Sequence, residues 1–387
     1  MEREVRHLLR FNFQPAPASS ADGRPEPVHL QVLNEVHGPT LRRQLNRHLA
    51  EVPAAAGGED CAHCHPAGRL QIRSATISGS VADRVGWLSL HGHRLPLRSD
   101  NDFLLELDVS RSPLATEAAA AEGEPCVAPS AVLGYYRVLR GRRLRCSHPG
   151  RRDLTAGAVR RALTEAVRRH RRGEGPPTVN GPAVTFCDAG GAVDCVPCVA
   201  VCASAAVPWL AELRARPRPS GWPEDRLLAR LDRTLLLVPT GPHAEDDRLW
   251  RLSFSRQEAQ LVRGLPPSAR YCLMLLKAVK KERRDRLANV SSYYLKTCVL
   301  WMCQQRQETE WRDSLAAMDA VLEMLRQAVD DKVLPSFFCS EINVLRDPTD
   351  ERLADIRRGI RYFQEEMLNL LHEMFTSLRP AKPITLE

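Results

Sequence analysis

The stretch from Asn101 to Val109 alternates in polarity with a period of two. Asn101, Phe103, Leu105, Leu107 and Val109 fall on one side, and Asp100, Asp102, Leu104, Glu106 and Asp108 on the other. That pattern predicts a half-buried β-strand with an acidic outer face. A strand of this kind constrains the fold, because its apolar side must be covered by a second layer. More strands follow from similar signals. Pro182 to Cys187 and Ala192 to Val201 are apolar runs joined by Asp188-Ala189-Gly190-Gly191, which predicts a hairpin. Leu235 to Val238 and Trp250 to Phe254 read as strands, and Leu70 to Ile77 as a short strand or helix end.

Beyond Ser255 the period changes. Trp311, Leu315, Met318, Leu322, Leu325 and Val329 repeat every three or four residues, as do Leu353, Ile356, Ile360, Phe363, Met367 and Leu371. These spacings predict amphipathic helices of a bundle. Residues 27–52 also read as helical, with Val36, Leu41, Leu45 and Leu49 on the apolar stripe and a break at Gly38-Pro39. Residues 1–26 read as a flexible arm because of their Pro and Ser content. No run of about 18 apolar residues predicts a membrane span. The N-terminus lacks the pattern of a signal peptide, and twelve Cys then predict reduced thiols in the cytoplasm, or else the nucleus.

The acids carry the first chemical signal. Asp100 and Asp102 are two apart on a strand, so their carboxylates point to one face and can share divalent cations. Asp194 is a third acid, inside an apolar strand where a carboxylate is costly unless a metal or a partner neutralises it. Gly79-Ser80 upstream can offer backbone N–H groups and a hydroxyl to a triphosphate. Each part alone has a bland reading as a solvated strand face, but the ordered set is far more specific.

The wider pattern resembles the Mab-21 family of nucleotidyltransferase-fold proteins, which includes cyclic GMP–AMP synthase and the cGAS-like receptors. The carrying segments are Gly79-Ser80, Ser99 to Asp102, Asp194 to Pro197, Trp250 to Ser255 with Glu258, Ser291 to Thr297, and Leu334 to Phe338 with Asn343. The resemblance implies an enzyme that joins ATP, GTP or other NTPs into a cyclic dinucleotide for innate immune sensing. Double-stranded nucleic acid would be the activator. The resemblance assigns Asp100, Asp102 and Asp194 to catalysis and to Mg²⁺ or Mn²⁺ binding. It places Gly79 and Ser80 near the triphosphate. It places Arg251, Ser253, Ser255 and Glu258 at the bases, and Lys277, Ser292 and Tyr293 at the donor nucleotide. An aromatic ring suits base stacking and a Lys suits phosphate. The alternative is a catalytically silent scaffold or nucleotide-binding interaction protein.

Two departures shape the expectation. The gap from Ser80 to Asp100 is long, so Trp87 to Leu97 reads as an inserted hairpin. The His/Cys zinc module of DNA-sensing members is absent between Glu258 and Cys272, which predicts no zinc and favours RNA over DNA. Cys61-Ala62-His63-Cys64-His65 reads as an unliganded loop, and Cys187, Cys195, Cys198 and Cys202 as buried small hydrophobes.

The net charge of +8 rests on 55 Lys plus Arg, and only six are Lys. From Arg137 to Arg172 there are thirteen Arg and only two acids, Asp153 and Glu165. So lopsided a run predicts a phosphate-binding face built on Arg160, Arg161, Arg168, Arg169, Arg171 and Arg172. The combined reading is an α+β fold. A nucleotidyltransferase-fold core of twisted mixed β-sheet with flanking helices (27–255) precedes a C-terminal helical lobe (256–380).

Overall fold

A computed structural model describes residues 1–12, 33–51, 70–79, 87–90, 93–96, 101–107, 127–138, 154–171, 175–188, 191–202, 209–241, 247–346 and 349–377. Their strands are β1 (Ile72–Ser78), β2 (Trp87–Leu90), β3 (His93–Pro96), β4 (Asn101–Leu107), β5 (Val127–Pro129), β6 (Tyr135–Val138), β7 (Thr178–Asn180), β8 (Ala183–Asp188), β9 (Gly191–Cys202), β10 (Thr234–Val238) and β11 (Trp250–Ser253). Nine of them form one sheet in the order β1-β4-β9-β10-β11-β6-β5, with β8 paired to β9 and β7 to β8. The β4–β9 pair is parallel and the other pairs are antiparallel, so the sheet is mixed.

The alternation along β4 sorts the two faces. Phe103, Leu105 and Leu107 turn to the main core, where Ala75, Ile77, Val193, Cys195, Val184 and Phe186 join them. Two helices belong to this same core, α2 (Gly38–Glu51) and α3 (Ala156–His170). Leu41, Leu45 and Leu49 come from α2, and Val159, Leu163 and Val167 from α3. A fully buried side chain of this size contributes about 1.5–3 kcal/mol, so this layer accounts for much of the core lobe's stability. Among the described residues, the opposite face of the sheet holds a small apolar cluster of Leu104, Cys198, Leu236 and Val238. That leaves room for polar side chains.

The predicted helical region is present. It contains α6 (Ser255–Arg263), α7 (Pro267–Glu282), α8 (Arg284–Leu287), α9 (Ser292–Gln305), α10 (Ser314–Asp330) and α11 (Asp350–Ser377). Two short helices, α4 (Trp209–Ala215) and α5 (Asp225–Ala229), precede β10. The periodic residues of α10 and α11 are buried, including Met318, Leu322, Leu325, Ile356, Ile360 and Phe363. Asp313 caps α10 by accepting from the Leu315 and Ala316 amides. Among the described residues, no helix is long and apolar enough to cross a membrane.

Several expectations change. The start of the expected arm is helix α1 (Glu2–Asn12). It buries Val5 and Leu9, packs against α11, and is tied down by Arg6–Asp313 at 2.6 Å and His372–Glu4 at 3.3 Å. Val36 is 56% exposed, because a π-helical turn over Leu33–His37 rotates it off the apolar stripe that begins at Gly38. Cys187 is exposed, whereas Cys195 and Cys198 are buried as expected. The hairpin predicted within 87–97 is the β2–β3 pair. Ser80, Asp100, Arg172, Cys202 beyond its backbone, and the Cys61 to His65 segment lie outside the described side chains.

Candidate active site

Strand register builds the site. Asp102 on β4 stands directly opposite Asp194 on β9 in the parallel pair. Neighbouring strands lie about 4.8 Å apart, so the two carboxylates leave the same face side by side. On the far side of β9, Thr185 is opposite Asp194, and on the far side of β4, Ser78 is opposite Asp102. The result is one row across four strands: Thr185, Asp194, Asp102, Ser78. The Thr185 hydroxyl donates to Asp194 Oδ1 at 2.5 Å.

Gly79 ends β1 beside this row with φ of +61°, a conformation that side chains with a Cβ rarely adopt. A Cβ placed there would sit 1.7 Å from Asp102 Oδ2. The Asp102 carboxylate therefore occupies the space that any other residue at position 79 would fill. This explains why a glycine precedes Ser80.

The same face continues to β11. Arg251 is opposite Val238 and Ser253 is opposite Leu236, two members of the small cluster on the acid side. The chain then enters α6 directly. Ser255 is its first residue, and its hydroxyl is buried with no hydrogen-bond partner among the described residues. Glu258, one turn on, is buried and forms an ion pair with Lys296 from the first turns of α9. Tyr293 also lies in that first turn, where Ser291 caps the helix by accepting from the Tyr293 amide at 3.2 Å. Burial raises the Tyr293 phenol pKa, and the Glu258 carboxylate raises it further. Yet 39% of the residue is exposed. Part of the Tyr293 side chain is therefore accessible to a ligand. Lys277 sits part-way along α7, half-buried, and α7 packs against α9.

Two hard carboxylates side by side suit a divalent cation of the Mg²⁺ class, and among side chains this donor set excludes a soft thiolate site. Burial pushes the Cys198 thiol up to about 12, and it raises the Cys195 thiol as well. Both thiols therefore stay protonated.

Comparison with known proteins finds similarity over part of the chain. Residues 268–362, spanning α7 to the first half of α11, match the Mab-21 protein HhH/H2TH-like domain. A cyclic GMP-AMP synthase-like receptor of Tribolium castaneum is 27% identical over 160 residues, covering 40% of this chain and 37% of that relative. One from Aethina tumida is 28% identical over 149 residues, 36% of each. Protein mab-21-like 3 of Danio rerio is 23% identical over 129 residues, 32% of this chain and 33% of that relative. The helical region of this chain is therefore similar to the Mab-21 domain. The matches span only about a third of the length of these relatives.

Lys277, Ser292 and Tyr293 fall inside the matched domain, and the acids fall outside it. The structure also revises the basic run on α3. Asp247 binds Arg160 at 3.0 Å and Arg161 at 2.9 Å, and Glu165 binds Arg168 at 2.5 Å and Arg169 at 3.1 Å. Arg169 also donates to the Glu51 carbonyl. Arg171 donates to the Cys187 carbonyl at 2.8 Å and lies over the Phe186 ring. The run is more neutralised than its composition implied, because Asp247 reaches it from outside the window. The side chains of Arg161 and Arg168 remain 66% and 60% exposed, whereas those of Arg160 and Arg169 are each 21% exposed.

Three functional neighbours escaped the sequence reading. They are Thr185, Asp247 and Arg256, the last of which donates to Glu106 at 2.8 Å. Only Thr185 had a local signal. The hairpin register sets Asp188 against Gly191, and counting back from there sets Thr185 against Asp194.

Proposed function

We propose that this protein is a nucleotidyltransferase that joins NTPs, with ATP and GTP as the first candidates, into a cyclic dinucleotide. Double-stranded nucleic acid, RNA in preference to DNA, switches it on. The observation that carries the reading is the side-by-side placement of Asp102 and Asp194 on the sheet face that runs into Arg251, Ser253 and α6. The names of the Tribolium and Aethina relatives support the same reaction class.

Asp102 and Asp194, together with Asp100, would hold Mg²⁺ or Mn²⁺. Bound there, such an ion supplies the Lewis acidity that activates a ribose hydroxyl and offsets charge on departing pyrophosphate. The chain's own groups do the rest. Gly79 keeps Asp102 in place, and Ser80 offers its hydroxyl to the triphosphate. Arg251, Ser253, Ser255 and Glu258 contact the bases, and the unpaired Ser255 hydroxyl is suited to that role. Lys277 and Ser292 hold phosphate, and Tyr293 stacks a base. Arg161 and Arg168 lead the basic face that meets a phosphate backbone.

The test is incubation of the full chain with the four NTPs and Mg²⁺ or Mn²⁺, with and without long double-stranded RNA or DNA. A cyclic dinucleotide that depends on RNA and disappears in Asp102→Asn supports the reading. No product under any pairing, with Mg²⁺-independent triphosphate binding, identifies a silent scaffold instead.

A further inference from the structure

The row Thr185, Asp194, Asp102, Ser78 contains a group with no role in the reading above. Thr185 is on β8, and its hydroxyl donates a hydrogen bond to Asp194 Oδ1 at 2.5 Å. The contact comes from the edge of β9 remote from Asp102. Asp194 is therefore gripped on one side and faces a second carboxylate on the other.

Two anions on neighbouring strands repel, and a carboxylate free to rotate relieves that repulsion by turning away. A threonine is well suited to prevent this. Its branched Cβ restricts χ1, so the hydroxyl is fixed by the strand rather than by a flexible chain. Val184 and Phe186, its neighbours on β8, are buried in the main core and lock the strand that carries it. With Oδ1 engaged by Thr185, Oδ2 is left for a ligand shared with Asp102.

We propose that Thr185 is a positioning residue that holds Asp194 in the orientation needed to bind a divalent cation together with Asp102. This rests on the reading of the acid face as a metal site. It assigns Thr185 to cation affinity and gives it no part in the chemical step.

The experiment measures Mn²⁺ binding by electron paramagnetic resonance, without NTP, on the full chain. It compares wild type, Thr185→Val, Thr185→Ser and Asp194→Asn, with thermal melts to show that each is folded. Outer-shell partners of metal ligands typically contribute 10–100-fold in affinity. Thr185→Val keeps the shape and loses the hydroxyl, so its Mn²⁺ dissociation constant should rise about 10-fold. Thr185→Ser keeps the hydroxyl and should stay within about 3-fold of wild type, a rescue that a packing role would not give. In the turnover assay the Mg²⁺ needed for half-maximal rate should rise in Thr185→Val, with kcat at saturating Mg²⁺ largely kept. If Thr185→Val binds Mn²⁺ as wild type does while Asp194→Asn does not, the role of Thr185 is overturned and the metal site stands. If Asp194→Asn also binds Mn²⁺ normally, the metal site itself is overturned, and the proposal falls with it.

Discussion

Arg256 donates to Glu106 at 2.8 Å, tying the helix that carries Glu258 to the strand that carries Asp102. Glu106 is only 14% exposed at its side chain, and Arg256 also lies 3.7 Å from Asp232. The pair spans 150 residues of sequence and links the sheet to the first turn of α6. Breaking it should loosen the join between the acid face and α6. Glu106→Gln and Arg256→Met, with their double variant, should show a coupling of about 1–3 kcal/mol in urea unfolding. A coupling near zero would make the contact incidental.

Placing Asp102 beside Asp194 costs stability. At roughly 5 Å and an effective dielectric between protein and water, their repulsion is about 1–3 kcal/mol. Asp194→Asn removes it and keeps an oxygen to accept from Thr185. In EDTA this variant should therefore melt higher than wild type. With millimolar Mn²⁺ the order should reverse, since only wild type gains from cation binding. A variant that melts lower in EDTA would contradict the repulsion argument.

These relationships were legible in the sequence to different depths. The acid face of β4 was visible because a half-buried strand imprints period two on its residues, and Asp102 falls on the polar beat. The hairpin around Asp194 was visible because a Gly-containing turn separates two apolar runs. The burial of Ile356, Ile360 and Phe363 followed from helical spacing. Asp247 was not legible in the basic run, because it lies 86 residues from Arg161 and only the tertiary fold brings it to the first turn of α3. Gly157 records that approach, since a Cβ there would meet the Asp247 carboxylate at 2.2 Å. Helix α1 was hidden for a different reason. Val5 and Leu9 have helical spacing, but the Pro and Ser residues that follow dominate the composition of 1–26.

The ion pair of Lys296 with Glu258 is enclosed, with side chains 12% and 8% exposed. Removing one member of such a pair typically costs about 3–5 kcal/mol, because the other is left charged in a poor solvent for charge. Lys296→Met should lose that order of stability at pH 8. Without the Lys296 charge the enclosed Glu258 carboxyl should shift toward its protonated form, which raises its pKa. A raised acid pKa means stability that fades as pH increases through it. Lys296→Met should accordingly recover part of the loss at pH 5, read by chemical unfolding at both pH values.

Acid should release α1 before it unfolds the lobe. Burial pushes the Asp313 carboxyl up, but hydrogen bonds from Arg6 and from the Ala316 and Leu315 amides outweigh this and hold it below the usual value. A depressed folded pKa contributes stability that is complete above the unfolded value of about 3.9 and is lost as pH falls through the folded one. Hydrogen exchange of residues 2–12 should therefore accelerate below about pH 4. Asp313→Asn keeps the helix cap and removes the charge. Its α1 should exchange faster at neutral pH and lose that acid dependence.

The basic helix separates into two classes with opposite expected consequences. Arg161 and Arg168 are exposed, seven residues apart on one face of α3, and each shares its carboxylate with a second Arg. Their pairs leave surplus positive charge facing solvent, where a phosphate backbone can reach it. Arg160 and Arg169 are enclosed and bind backbone carbonyls as well as acids, at Gly181 and Glu51. Arg161→Glu with Arg168→Glu should keep the melting temperature and weaken double-stranded RNA binding for every sequence tested. The slope of log affinity against log salt should fall by about one unit for each phosphate that is no longer neutralised. Arg160→Glu with Arg169→Glu should instead lower the melting temperature, because it places carboxylates beside Asp247 and Glu165. If both double variants bind RNA as wild type does across salt, α3 is a solvated structural face and the activating ligand binds elsewhere.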